Sequence, residues 1–222
     1  MALALIGGAL IVTVQAEEAA APAGKVKLKL DLPAAMFTGT PKNIKTPFLE
    51  PPRPPGARAA FYVPEGVTNV SAKKKVTASD SEPVIGSLDL VTDGDKEGTD
   101  GSYVEFGPGK QWVQIDLGQA YAIYAVAMWH DHRYIQVMHD VIVQVSDDAD
   151  FAKGVTTVYN NDSDNSSGLG VGADREYFET YRGRIVDGKG VKGRYVRAYT
   201  KGSSLSALNC WQELEVYALT GQ

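Results

Sequence analysis

The chain's three histidines fall within ten residues: His130 and His132 in the stretch MWHDHRY, 128–134, and His139 shortly after it. Side chains two apart on a β-strand share a face, so a strand carried through residue 132 would present the first two imidazoles together. A His-x-His pair of this kind can hold a transition metal. His139 would close the set if 133–138 folds back, with Asp131 or Asp140 as a base toward metal-bound water. The same residue types suit milder chemistry. Imidazoles, the Arg133 guanidinium and the Tyr134 ring can hydrogen-bond and stack against a ligand, forming a polar lip. Trp129 ends the apolar run, so HDHRY also reads as a strand end and loop whose histidines support the fold. All three readings are open from these residues.

Two other stretches concentrate oxygen donors. LVTDGDKEGTDGS, 90–102, sets Asp93, Asp95, Glu97 and Asp100 among glycines. Hard oxygen ligands on a tight loop suit calcium, although the spacing is not that of an EF-hand. NNDSDNSSGLGVGADRE, 160–176, offers Asn160, Asn161, Asp162, Asp164 and Asn165. It could be a second calcium loop, a surface for sugar hydroxyls, or a long turn rich in the residues turns require. Its GLGVG follows a polar loop rather than a strand, so it is no dinucleotide fingerprint. Trp211 is a core residue or a stacking platform. Cys210 is the one cysteine, which excludes an internal disulfide and suits a small buried side chain. No nucleophile elbow, H-E-x-x-H or Cys–His pattern is present. Asn69, Asn161 and Asn165 lie in N-x-[ST] sequons.

These residues must be positioned by a fold of turns and strands. The 222 residues are 44% hydrophobic, with 23 Gly, 11 Tyr and a net charge of −5. Neither charge sign is massed, which argues against nucleic acid. Short alternating segments bounded by turn residues recur: QWVQIDLG (111–118), AIYAVAMW (122–129), HDVIVQVSDD (139–148), GVTTVYNND (154–162), GRYVRAYT (193–200) and CWQELEVYAL (210–219). Strands without intervening long helices predict a β-sandwich.

Upstream, LALIGGALIVTV followed by VQA reads as an export signal cleaved after Ala16, although a basic start is missing. Residues 17–66 then hold a flexible leader, a strand at KVKLKLDL (25–32), and an arm over 33–66 punctuated by prolines. Prolines withhold ladder hydrogen bonds. The arm's Met36, Phe37, Ile44, Phe48, Leu49, Phe61 and Tyr62 suit packing along the domain or along a neighbouring subunit. The mature chain has no membrane span in this reading.

The ordered series NVSAKKKVTAS, LVTDGD, QWVQIDLG, DVIVQVSDD, KGRYVRAYT and ELEVYAL resembles the discoidin family, the coagulation-factor type C domains. That family is galactose-binding-like and close to the family 32 carbohydrate-binding modules. The resemblance covers roughly 67–219 and implies an all-β jelly-roll sandwich of about eight strands over 67–222, with ligand loops at one end. It further implies a structural calcium held by Asp93, Asp95 and Thr99 with the late Glu213. Here Asp100, Gly101 and Ser102 stand where the family usually has an aromatic residue. It places His130, His132, Arg133 and Tyr134 near the ligand end, with Asn161, Asp162, Asp164, Asn165 and Trp211 as further contacts. The expected function is an exported (secreted, periplasmic or cell-surface), non-catalytic module that binds a glycan or a cell-surface or matrix component. It could serve a larger assembly, with self-association through the arm. The alternatives are a small metalloenzyme built on the histidines and a purely structural surface-assembly protein.

Overall fold

A computed structural model describes residues 21–37, 39, 41, 43–51 and 59–220. The apolar stretch read as an export signal, and part of the proline-rich arm, lie outside the described residues.

Two long strands organise the chain. QWVQIDLG and AIYAVAMW, read above as separate strands, are one: β6, Gln111–Trp129. After an exposed stretch at 118–120 the core-facing positions pass from Val113, Ile115 and Leu117 to Val126 and Met128, so the alternation changes phase along the strand. Gly118 adopts φ +88° there, a left-handed conformation that glycine tolerates without strain, so the chain bends and stays paired. The second long strand, β11, covers Arg184–Thr200 and extends GRYVRAYT upstream through RIVDGKG. It runs antiparallel to β6 from Arg184↔Met128 to Thr200↔Gln111, with register shifts between Asp187 and Val191 and between Gly193 and Tyr195.

The remaining strands attach to the two halves of this ribbon. The half of β6 near residue 115 pairs with β4, Lys75–Ala78. The matching half of β11 pairs with β8, Ile142–Ser146, which carries β9, Thr156–Asn160. The other half of β6 pairs with β13, Glu213–Leu219, whose far edge takes β3, Val67–Asn69. Short antiparallel pairs complete the fold: β5, Val104–Phe106, with β12, Asn209–Trp211; and β7, Val137–Met138, with β10, Tyr177–Phe178. Val113, Ile115 and Leu117 from one half of β6 share one core with Val126 and Met128 from the other half, and with Val143, Val196, Leu214 and Val216. The ribbon is thus folded over itself into an all-β, jelly-roll sandwich. Each of these fully buried aliphatic side chains contributes about 1.5–3 kcal/mol.

The leading strand is shorter than its alternation predicts. β1 spans Lys25–Lys27 and pairs with β2, Tyr62–Pro64. Leu28 and Leu30 pack beside Val63, Ala125, Trp129 and Tyr217, whereas Val26 and Leu32 stay exposed. A stripe of four leucine and valine positions therefore buries only its middle. The described part of the arm lies along its own domain: Glu50 N–H donates to Glu176 O at 2.9 Å and Glu176 N–H to Phe48 O at 3.1 Å. Arg184 pairs with Glu50 at 2.8 Å.

Two of the motifs that carried the resemblance are clipped together. Arg194, of GRYVR, donates from Nε and Nη2 to the two oxygens of Asp116, of WVQIDLG, both at 2.7 Å. Those hydrogen bonds hold the Asp116 carboxyl below the ordinary carboxylate range. A group held low stabilises the fold above its unfolded-state value, and that contribution disappears as pH falls through the lowered one. Asp116→Asn is expected to reduce unfolding free energy by about 0.5–1 kcal/mol at neutral pH, the scale of a partly exposed bidentate pair. The gap should close in strong acid. Denaturant unfolding across pH measures this, and equal stabilities at neutral pH would show that the clip contributes nothing.

Candidate ligand-binding site

β6 stops at Trp129, so the chain leaves strand geometry before His132. The three histidines are consequently sent to three different partners. His130 Nδ1 lies 2.8 Å from Glu179 Oε2, and its ring stacks on Trp211 at 4.3 Å. His132 Nε2 lies 2.7 Å from the carbonyl oxygen of Lys96. His139 Nδ1 lies 2.7 Å from Glu176 Oε1, beside the docked arm. The imidazoles do not gather. Among the described residues, the group of three or more metal-competent side chains that converges is Asp140, Asp162 and Asp164, with no histidine in it. The three-histidine metal centre is thus corrected: it required the strand to continue and 133–138 to fold back, and neither happens.

The polar-lip reading is corrected in part. His130 and His132 are fully buried rather than facing solvent. His132 props the loop at Lys96. His130, however, forms part of the wall of a cavity of about 240 Å³. Arg133 and Tyr134 also line it, together with Glu105, Asp131, Gln136, Met138, Ser203, Leu205, Leu208 and Cys210. Three of the expected ligand residues are thus brought together, on the turn that follows β6, facing the loop between β11 and β12.

That loop is held rigidly. Asn209, fully buried, accepts from Thr200 Oγ1 and Gly202 N–H, both at 2.8 Å, and donates to Gly107 O at 2.8 Å and Gly109 O at 3.0 Å. Gly202 has φ +74°, and a Cβ there would lie 2.6 Å from Ser206 O, so only glycine closes this turn. The opposite wall is fixed by Arg133. Its Nε and Nη2 donate to Asp131 Oδ1 and Oδ2 at 2.9 and 3.0 Å, and its guanidinium sits 4.6 Å from the Tyr103 ring and 5.6 Å from Tyr134. Tyr134 is 54% exposed and Leu205 60% exposed. Rings and aliphatic side chains held in water at a cavity mouth are suited to the apolar face of a ligand. Burial pushes the Cys210 thiol well up, so it stays protonated and is a poor nucleophile. Burial, then the nearby Asp131, raises the Glu105 carboxyl.

Glu105, Leu205, Leu208 and Ser203 were not singled out from sequence. The signal for the loop was SSLSAL, which places two leucines in a serine-rich turn that needs neither. Glu105 carried no local signal, because its position depends on β5 pairing with β12.

The remaining expected contacts are scaffolding. Trp211 is fully buried in the core. Asn161 is buried, accepting from Val141 N–H at 2.6 Å and donating to Met138 O at 3.3 Å. Asp162 is fully buried and accepts from Ser167 N–H at 2.8 Å, Ser166 N–H at 3.1 Å and Asp164 N–H at 3.2 Å. Asn165, at φ +60°, accepts from Gly170 N–H at 2.7 Å. The 160–176 loop thus turns these polar atoms onto its own backbone and that of Met138 and Val141, and Asp164 remains exposed beside Asp140. None of these four residues, nor Trp211 or His132, lines the cavity.

The first acidic loop does meet the last strand. Glu213 is buried and accepts from Gly94 N–H at 3.1 Å. Burial, with Glu215 and Asp93 nearby, pushes its carboxyl up to about 8. Asp93 and Asp95 each use one oxygen to cap the loop, on Asp95 N–H at 2.8 Å and Glu97 N–H at 2.9 Å. Thr99 Oγ1 lies 3.5 Å from Ser102 Oγ. Lys96, from the same loop, is buried and pairs with Glu215 at 2.8 Å.

Residues 90–198 match the family model described as F5/F8 type C, NedA-like, galactose-binding domain. A search of curated protein sequences returns no match. Among solved structures, a family 89 glycoside hydrolase from Clostridium perfringens is 18% identical, with a TM-score of 0.50 over 69% of this chain and 15% of that one. A truncated AlyQ with CBM32 and alginate lyase domains is 16% identical, with a TM-score of 0.51 over 70% of this chain and 34% of that one. A fucose-binding module from Streptococcus pneumoniae is 19% identical, with a TM-score of 0.49 over 68% of this chain and 98% of that one. The chain therefore spans about 15% of the length of the hydrolase it resembles, and the likenesses to that hydrolase and to AlyQ speak for the fold alone. With the family match over residues 90–198 and this folded-over ribbon, the chain's β-sandwich is similar to the discoidin-like F5/F8 type C galactose-binding domains.

Proposed function

We propose that this domain is a non-catalytic recognition module of an exported chain, and that it binds a glycan in the cavity between the 130–136 turn and the 203–210 loop. The observation that carries the reading is the pairing, around one cavity, of exposed Tyr134 and Leu205 with Glu105 and His130, each of which has a polar side-chain atom unpartnered among the described residues. A sugar ring presents the same division, with C–H groups on its faces and hydroxyls at its edge. The family match, described as galactose-binding, supports the choice of ligand class. No helix of the described residues is long and apolar enough to cross a membrane.

Probing the full chain against an immobilised glycan panel tests this. Tyr134→Ala should weaken binding of any hit about tenfold, the scale of losing one ring contact of about 1.4 kcal/mol, with little change in melting temperature because the ring is more than half exposed. A panel without hits, or hits indifferent to both Tyr134→Ala and Leu205→Ser, would overturn the assignment.

We also propose that the 93–99 loop and Glu213 hold calcium. The donor chemistry fits: the loop's carboxylates are hard oxygen ligands. Glu213 is a buried carboxylate without a cationic partner at hydrogen-bonding distance among the described residues. Beside the loop, the Gln212 amide is buried with neither its nitrogen nor its oxygen partnered, and its nitrogen would lie 2.6 Å from a Cβ on Gly98. Asp93, Asp95, Thr99 and Glu213 would hold the ion together with backbone carbonyls, and the ion would supply the positive charge that fixes the loop to β13. Removing calcium with a chelator should lower the melting temperature by several degrees, as linkage to a native-state ligand requires, and Glu213→Gln should abolish the difference. If Asp164→Asn abolishes it and Glu213→Gln does not, calcium belongs to the Asp140, Asp162 and Asp164 cluster. If chelation changes nothing, there is no calcium site.

A further inference from the structure

The charge lining the cavity narrows the class of sugar, a step that rests on the cavity being the glycan site. Four lining residues are ionisable near neutral pH or permanently charged: Glu105, His130, Asp131 and Arg133. Arg133 and Asp131 neutralise one another in a bidentate pair, and Asp131 Oδ1 also accepts Arg133 N–H at 3.1 Å. The guanidinium's remaining nitrogen reaches Asp100 at 3.5 Å, and its faces lie against Tyr103 and Tyr134. His130 is tied through Nδ1 to Glu179, while its Nε2 is buried at the cavity wall with no partner.

Glu105 alone is left. Its backbone is fixed on both sides, donating to Ile85 O at 2.9 Å and accepting from Val84 N–H at 2.7 Å. Its carboxylate receives no hydrogen bond or ion pair among the described residues. The cavity therefore holds one half-buried carboxylate with no direct partner; Arg133, already bound to Asp131, acts on it only at a distance and does not outweigh burial and Asp131. A uronate or sulfated sugar would meet that carboxylate with no uncommitted cation to balance it. A neutral sugar would offer it hydroxyl donors but no countercharge, whereas a cationic group supplies both.

We propose that the recognised residue is an amino sugar with a free ammonium group, which pairs with Glu105 while its ring face rests on Tyr134 and Leu205. The ammonium would offset both influences that raise the Glu105 carboxyl, the loss of water and the repulsion from Asp131. His130 Nε2 and the Ser206 hydroxyl on the facing loop supply partners for neighbouring hydroxyls, whereas the Ser203 hydroxyl is already used on Gln136.

Titration calorimetry of the full chain at pH 6 and low salt tests this. The probes are a glucosamine tetramer, its fully N-acetylated counterpart and a neutral galactose oligomer. At that pH the amine is protonated. The free-amine tetramer is expected to bind at least tenfold more tightly than the acetylated one. Glu105→Gln should remove that preference, and added salt should shrink it. Glu105→Asp, which keeps the charge and shortens its reach, should retain part of it, and serves if the glutamine variant is unstable. A preference that survives Glu105→Gln would reflect the net charge of the chain and overturn the assignment. Binding of the galactose oligomer with no preference for the amine would overturn the amino-sugar inference and leave the glycan site standing. Failure of all three probes, together with a glycan panel without hits, would remove the glycan site itself.

Discussion

Everything in this molecule hangs on the antiparallel pairing of β6 with β11. Both strands are long enough to serve two halves of the sandwich, and each half recruits its other strands from the ribbon they form. The bend in the middle decides the architecture. Without Gly118 at positive φ and the register shifts in β11, a continuous ladder would stay in one layer and expose the apolar face it now folds over. The Asp116–Arg194 clip lies close to the bend, at the pair Tyr195↔Asp116. The two motifs that look most like family signatures are therefore devices for turning a ribbon into a sandwich.

The site follows from where the ribbon runs out. β6 ends at Trp129, and the next residues must satisfy their polar groups without a ladder. They do so incompletely. His130 Nε2, His132 Nδ1, Trp211 Nε1 and both polar atoms of Gln212 are buried with no partner. An unsatisfied buried polar atom costs about 1–3 kcal/mol, so a fold that gathers several on adjacent residues is least settled there. Ordered water can meet such groups, as can a ligand. The 160–176 loop shows the contrast, since Asn160, Asn161, Asp162 and Asn165 are taken up by backbone groups of the loop and of Met138 and Val141.

The sequence was informative where one element carries its own meaning. Alternation in 111–117 and 213–219 named strands, and the ordered motifs named the sandwich. The meeting of the 93–99 loop with Glu213 was also legible, through the family pattern. Side-chain roles that depend on pairing across the fold were not. Whether His130 faces solvent depends on Trp211 and Glu179, 81 and 49 residues away in sequence. Glu105 becomes a cavity residue only because β5 pairs with β12. Asn161 and Asp162 look like ligand contacts in sequence because the amides and carboxylates that bind sugars are also those that close turns. Two strands were read where there is one, because a glycine that ends a strand and a glycine that bends one leave the same mark.

Charge is arranged by the same inward pairing. The chain has 22 basic side chains against 27 acidic ones, but the cations near its loops are committed to the interior. Lys96 pairs with Glu215 and sits 5.1 Å from the Trp129 ring. Arg184 pairs with Glu50 and lies between Tyr159 and Tyr177 at 5.2 and 4.7 Å. Arg197 lies 4.2 Å from both Trp112 and Phe151. Arg133 is closed by Asp131 and two tyrosines. Guanidinium groups stack on rings and fork onto carboxylates more readily than they stay solvated, so arginine here works as mortar between strands and loops. Carboxylates with no cationic partner at hydrogen-bonding distance among the described residues include Glu213 at the start of β13 and Glu105 in the cavity. A carboxylate without a cationic partner favours a cation beside it, and of these carboxylates Glu105 is the one that lines the cavity edged by Tyr134.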